Sequence, residues 1–168
     1  MSTSIPPRPR QVSVNPRHLA IRRRFAIVAS QYNSEYVQGL VDHAVNELRA
    51  LASNPHIDLH QVPGAFEIPV VAREIAHQRR ADAVLAVGVI LHGKTDHAEH
   101  LARSVTDALQ RIATHEGVPV IHAVLSLKTE TQARERCLGE EMNRGTEAAR
   151  TAFQMVNLMA DLRDKHHG

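Results

Sequence analysis

Gly93, Lys94 and Thr95 stand in a row, and His97 follows two positions later. A glycine lets backbone come close to a ligand, a lysine adds a full positive charge, and a threonine adds a hydroxyl donor. Together they suit a phosphate. If a helix starts here, its free N–H groups and the positive end of its dipole strengthen the same anion site. That dipole also disfavours imidazolium in the first turn, so His97 is expected to be able to accept a proton. The triplet is not a Walker motif, because no glycine stands at the earlier position the motif requires. His92, His97 and His100 raise a metal site as the alternative. Their spacing puts them partly in a loop and not on one helical face, and no Asp or Glu completes a ligand set, so no metal is expected.

The segments around these residues alternate in type. Phe25 to Ser30 is a short apolar run, as a strand buried on both faces requires. Ser34 can cap a helix whose stripe is Val37, Leu40, Val41, Ala44, Val45, Leu48 and Leu51. A more polar strand near Ile57 to Val62 suits a sheet edge, and a second helix follows with Pro69 in its first turn. Ala83 to Ile90 is the strongest strand. Leu101, Val105, Ala108, Leu109 and Ile112 mark a third helix ended by Gly117. Val118 to Leu125 is expected as a fourth strand, then a short helix near Thr131 to Cys137 and a longer one near Thr146 to Leu162.

This alternation predicts an α/β fold of three layers, α/β/α, with a four-stranded parallel sheet and helices on both faces. In such sheets ligands bind outside the carboxyl ends of the strands. Gln31, Tyr32 and Asn33 follow the first strand, and Pro63, Gly64, Ala65, Phe66 and Glu67 the second. Leu91 to His97 follow the third, and Ser126, Leu127 and Lys128 the fourth. Tyr32 and Phe66 are two of only five aromatic residues. Either they cap the core beneath the loops, or they stack on a flat heteroaromatic ligand.

Composition narrows the class. A chain of 168 residues, 43% hydrophobic, has the size and apolar content of one compact domain. No apolar run approaches the roughly 20 residues that span a bilayer, and Met1 to Arg24 holds no apolar stretch of the secretory kind. Cys137 is the only cysteine, so no internal disulfide is expected and a cytoplasmic protein is the reading. Six arginines (Arg8, Arg10, Arg17, Arg22, Arg23, Arg24) precede the first acidic residue, Glu35. Without them the formal charge of +2 turns negative, so the basic balance belongs to the N-terminal segment and not to a nucleic-acid-binding face. A transit peptide is disfavoured by Pro6, Pro7, Pro9 and Pro16, which would break its amphipathic helix. Residues 1–23 are expected as an extended arm, 24–162 as the folded domain and 163–168 as a tail.

Several of these residues stand in recognisable strings. The strand-one loop carries Tyr32-Asn33, and Val62 to Pro69 reads Val-Pro-Gly-Ala-Phe-Glu-Ile-Pro. The third loop reads Gly-x-Thr-x-His at Gly93, Thr95 and His97, and Arg136 precedes a short loop ending Asn143-Arg144-Gly145. In this the chain resembles the lumazine synthases, in register from about Arg24 to Leu158. The resemblance implies a flavodoxin-like fold and a cofactor-free condensation. In it, 5-amino-6-(D-ribitylamino)uracil and 3,4-dihydroxy-2-butanone 4-phosphate give 6,7-dimethyl-8-ribityllumazine.

By the same resemblance, Tyr32 and Asn33 line the pyrimidine site and Ala65, Phe66 and Glu67 hold the ring and ribityl chain. Val89, Ile90 and Leu91 offer backbone hydrogen bonds to the pyrimidine. Lys94, Thr95 and Arg136 bind phosphate, with Arg136 reaching the site from an adjacent subunit, and His97 moves protons. His122 stands where phenylalanine often closes the pocket. His92, Ala98, His100 and Glu140 also depart from the usual pattern. The resemblance further implies a homopentamer with shared sites, a shell of twelve pentamers in some members, and riboflavin synthase as a candidate partner. The alternative is a flavin- or lumazine-binding or shell-forming protein on this scaffold without catalysis.

Overall fold

Strands with no polar side chain must be covered on both faces, and the two most apolar runs take the centre of the sheet. In a computed structural model that describes residues 21–164, β1 (Arg24–Ser30) is buried at every position after Arg24. β3 (Ala83–Leu91) is buried until its last residue. The more polar β2 (His56–Val62) takes one edge and β4 (Val120–Leu127) the other. The strand order is β2-β1-β3-β4 and every pair is parallel. That order, with its switch point between β1 and β3, is flavodoxin-like.

Helices cover both faces. On one, α1 (Ser34–Leu51) and α5 (Arg144–Asp164) pack over Phe25, Ile27, Leu85 and Val87. On the other, α2 (Ile68–His77) and α3 (His97–Glu116) pack over Ala26, Val28, Val84 and Ala86. A short α4 (Glu130–Ala133) runs into a single π-turn (Arg134–Leu138) that lies against α1. The three-layer α/β/α architecture expected from the alternation is the one observed. Among the described residues no helix is long and apolar enough to cross a membrane.

The boundaries differ where a local hydrogen bond outweighs the apolar pattern. β4 begins at Val120, two residues later than Val118, because Pro119 has no N–H for the ladder; its carbonyl accepts from the Val84 N–H at 2.9 Å. At its other end β4 stays paired with β3 through Leu127, so Ser126 and Leu127, expected in the following loop, are strand residues, as is Leu91 at the end of β3. Asn33, not Ser34, is the N-terminal flanking residue of α1, in a left-handed conformation (φ 56°). α3 starts at His97, so Lys94 and Thr95 lie just before the helix and not in it. The expected short helix is split into α4 and the π-turn. α5 runs from Arg144 to Asp164, past Leu162 and into the first residues of the expected tail. The expected arm up to residue 20 and the tail from residue 165 lie outside the described residues.

Candidate functional site

The loops after β1 and β2 are stitched together by backbone. The Gln31 N–H donates to the Val62 carbonyl at 2.9 Å and the Tyr32 N–H to the Pro63 carbonyl at 3.3 Å. The Glu67 carboxylate accepts from the Gly64 N–H at 2.9 Å, which closes the turn Ala65–Glu67 before α2. A Cβ on Gly64 would stand 3.0 Å from both Tyr32 Cε2 and Glu67 Oε2, so ring and carboxylate lie against its bare Cα. Tyr32 is 70% exposed and Phe66 66% exposed, which removes the possibility that they cap the core. Two large aromatic faces left in water on adjoining loops are free to take a flat ligand. Ala65 is buried beneath them and Glu67 is half-buried.

β3 delivers the third loop to the same end of the sheet. Asn33 donates from Nδ2 to the Val89 carbonyl at 2.8 Å, tying the β1 loop to β3. That amide is committed to protein, and one lone pair of Val89 is taken. Ile90 is buried and Leu91 half-buried at the strand end. Beyond them Gly93, Lys94, Thr95 and His97 are exposed, and a Cβ on Gly93 would meet nothing within 4 Å. The space for an anion at the head of α3 is open, and the first N–H groups of any helix lack intrahelical partners. His92 is pinned to β4: its N–H donates to the Leu127 carbonyl at 2.9 Å and its Nε2 meets Ser126 Oγ at 2.5 Å. Sequence reasoning left Ser126 without a role, because the pairing depends on where β4 ends.

Two expected site residues are not brought to this cluster within one chain. His122 pairs with Ala86, three residues below Val89 along the sheet. Its Nδ1 accepts from the Val124 N–H at 3.3 Å, which leaves Nε2 as the protonated nitrogen of the neutral ring, donating to Thr106 Oγ1 at 2.7 Å. The Thr106 hydroxyl in turn donates to the Ala102 carbonyl at 2.7 Å, so the chain joins β4 to α3. Arg136 sits half-buried on the π-turn against α1, on the sheet face opposite α3. The π-turn that carries Arg136 and the helix that follows Lys94 thus lie on opposite faces of the sheet. Next to Arg136, Cys137 is fully buried and burial pushes its thiol up to about 12, partly countered by the Arg136 charge. A thiol so strongly protonated is not a nucleophile.

His122 is exposed on the chain's surface, but the packing around its ring desolvates it and lowers its pKa from 6.5, partly offset by a contact with its own backbone. As the pH falls below 6.5 the unfolded chain takes up this proton first, so the folded state loses stability through that window and holds it fully above. His122→Phe should therefore show a smaller fall in unfolding midpoint between about pH 7.5 and about pH 5.5 than the unaltered chain. Equal falls in both proteins would remove His122 as a source of the acid sensitivity.

Among the described residues no group of three His, Cys, Asp or Glu side chains is placed to hold a metal ion. The features that remain are an aromatic pair, a carboxylate, an open loop carrying Lys94 and Thr95, and an exposed histidine, all at the carboxyl end of the sheet.

A family model described as 6,7-dimethyl-8-ribityllumazine synthase matches residues 22–160. A curated protein named 6,7-dimethyl-8-ribityllumazine synthase, from Halorhodospira halophila, is 40% identical to this chain over 140 residues. The match covers 83% of this chain and 90% of that relative.

Proposed function

Since the chain belongs to the 6,7-dimethyl-8-ribityllumazine synthase family, we infer that it makes that lumazine. The reaction condenses 5-amino-6-(D-ribitylamino)uracil with 3,4-dihydroxy-2-butanone 4-phosphate and releases phosphate and water. It is a transferase of riboflavin biosynthesis. The observation that carries the assignment of the site is the exposed Tyr32–Phe66 pair beside the open loop of Lys94, Thr95 and His97.

In this reading Tyr32 and Phe66 take the pyrimidine between them. The Glu67 oxygen not turned to Gly64 accepts from ribityl hydroxyls, and backbone groups of Ile90 and Leu91 meet the ring edge. Asn33 acts indirectly, by fixing the Val89 carbonyl. Lys94 and Thr95 receive the phosphate with the N–H groups that open α3. The amine attacks the ketone, water leaves as the imine forms, phosphate is eliminated, and the second amine closes the ring with loss of water. His97 stands at the head of α3, next to the bound phosphate, where a proton must be taken up and passed on. Binding of both substrates in one orientation supplies much of the acceleration.

Arg136 completes the phosphate site from a neighbouring subunit, as the resemblance implies and as the placement of its π-turn and of α3 on opposite faces of the sheet supports. His122, on the outer side of the β4–α3 joint, meets the neighbour's pocket in the same way. The reading thus includes a homopentamer, its further closure into a shell of twelve pentamers, delivery of product to riboflavin synthase, and a cytoplasmic setting. A monomer in light scattering at micromolar concentration would contradict the shared site.

His97→Ala tests the proton role. General acid–base help is worth about 10²- to 10⁴-fold when proton transfer limits the rate. Amine–ketone condensation is intrinsically easy, so a fall in kcat of about 10²-fold or less is expected, with both KM values little changed. Weakened substrate binding at unchanged kcat would take His97 out of this role.

A further inference from the structure

Asn143 is fully buried, and its amide is saturated by backbone. Nδ2 donates to the Cys137 carbonyl at 2.8 Å and to the Gly139 carbonyl at 2.9 Å. Oδ1 accepts from the Gly145 N–H at 2.8 Å and the Thr146 N–H at 3.4 Å. A primary amide has two N–H donors and two lone pairs, and here all four are used. Both donors are spent on the carbonyls that flank Leu138, immediately beyond Arg136, and both acceptances come from the first turn of α5. We propose that Asn143 is a positioning residue for the phosphorylated substrate, fixing the π-turn that presents Arg136 without touching the substrate itself. This rests on the assignment of Arg136 to the phosphate.

Three further observations confine the same turn. The Gly139 N–H closes it on the Arg134 carbonyl at 2.9 Å, and an isolated π-turn is a geometry associated with functional sites. Cys137 is locked in the core while Arg136, one residue earlier, is half-exposed, so the turn has an anchored side and a presenting side. Gly39 of α1 lies flush beneath it: a Cβ there would stand 2.5 Å from the Cys137 carbonyl oxygen and 2.6 Å from Leu138 Cδ2. The base of the Arg136 side chain therefore has no room to drift. A guanidinium binds phosphate through a rigid planar fork, so its value depends on where its Cα is held.

The test uses two variants that disturb the turn from opposite sides. Asn143→Asp keeps the shape and the contacts from Gly145 and Thr146, but sets an oxygen against two carbonyls in place of the donors. Gly39→Ala displaces the turn from the α1 side and changes no polar group. Each is measured alone and combined with Arg136→Ala, by steady-state kinetics with both substrates and with inorganic phosphate as competitive inhibitor. Either single variant should raise KM for the phosphorylated ketone about tenfold and weaken phosphate inhibition alike, with the pyrimidine KM changed by less than about twofold. In the Arg136→Ala background neither should add a further rise, because residues acting through one another are not additive.

Equal rises in both KM values, or full additivity with Arg136→Ala, would show a merely structural role and overturn the proposal. If Arg136→Ala raises the ketone KM and neither turn variant does, the proposal falls and the phosphate assignment stands. If Arg136→Ala itself leaves that KM unchanged, the phosphate assignment fails and the proposal with it. Should Asn143→Asp not fold, Gly39→Ala carries the same comparison.

Discussion

Arg136→Ala is expected to raise KM for 3,4-dihydroxy-2-butanone 4-phosphate by about 10- to 100-fold and to leave that for the pyrimidine within about twofold, since a hydrogen bond to a charged group is worth about 1.5–3 kcal/mol. The size follows from charge and geometry together. In the proposed site, a phosphate held by Lys94, Thr95 and helix N–H groups would lose its one planar, doubly donating partner. Arg136→Lys should recover only part of the loss, because an ammonium is a point charge without the fork. The direction is selective because Tyr32, Phe66 and Glu67, which take the pyrimidine in this reading, lie on loops whose bonds do not involve the π-turn. Steady-state kinetics with each substrate varied in turn reads both values. Equal changes for the two substrates would mean that Arg136 does not bind the phosphate.

The second large effect is on stability. Glu47 on α1 and Arg150 on α5 form an ion pair at 2.9 Å, with side chains only 9% and 15% exposed. It joins the two helices that cover one face of the sheet. Removing one partner of a buried ion pair typically costs about 3–5 kcal/mol. Glu47→Ala should therefore lower the unfolding midpoint by about 10 °C, at 2–4 °C per kcal/mol for a chain of this size. Glu47→Ala combined with Arg150→Met, which removes both charges, should recover much of the loss. Thermal unfolding followed by circular dichroism reads both. A double variant less stable than Glu47→Ala would show that packing of the two side chains, and not their charges, sets the cost.

The parts of the fold that could be read from the sequence are those where burial writes itself into composition. Phe25 to Ala29 and Ala83 to Ile90 hold no charged residue because water reaches neither face of β1 or β3. The polar residues of β2 likewise pointed to an edge, where it lies. The loops of the site followed from strand ends alone, because a parallel sheet gathers them at one side. What could not be read are the contacts made by single side chains across long stretches of chain. Asn33 with Val89, His92 with Ser126, and His122 with Thr106 leave no period and no compositional trace. Pro119 moved β4 because a missing N–H outweighs two apolar residues. The π-turn has no sequence rule of its own, and the face on which it places Arg136 depends on how α1 and α5 pack.

The most direct measurement mixes both substrates with purified protein and follows the absorbance and fluorescence of the lumazine. Protein-dependent product formation is expected, saturable in each substrate, with release of phosphate and without any added metal or cofactor. Retention of flavin or lumazine with no turnover above the protein-free mixture would contradict the enzymatic assignment and leave a binding protein on this scaffold.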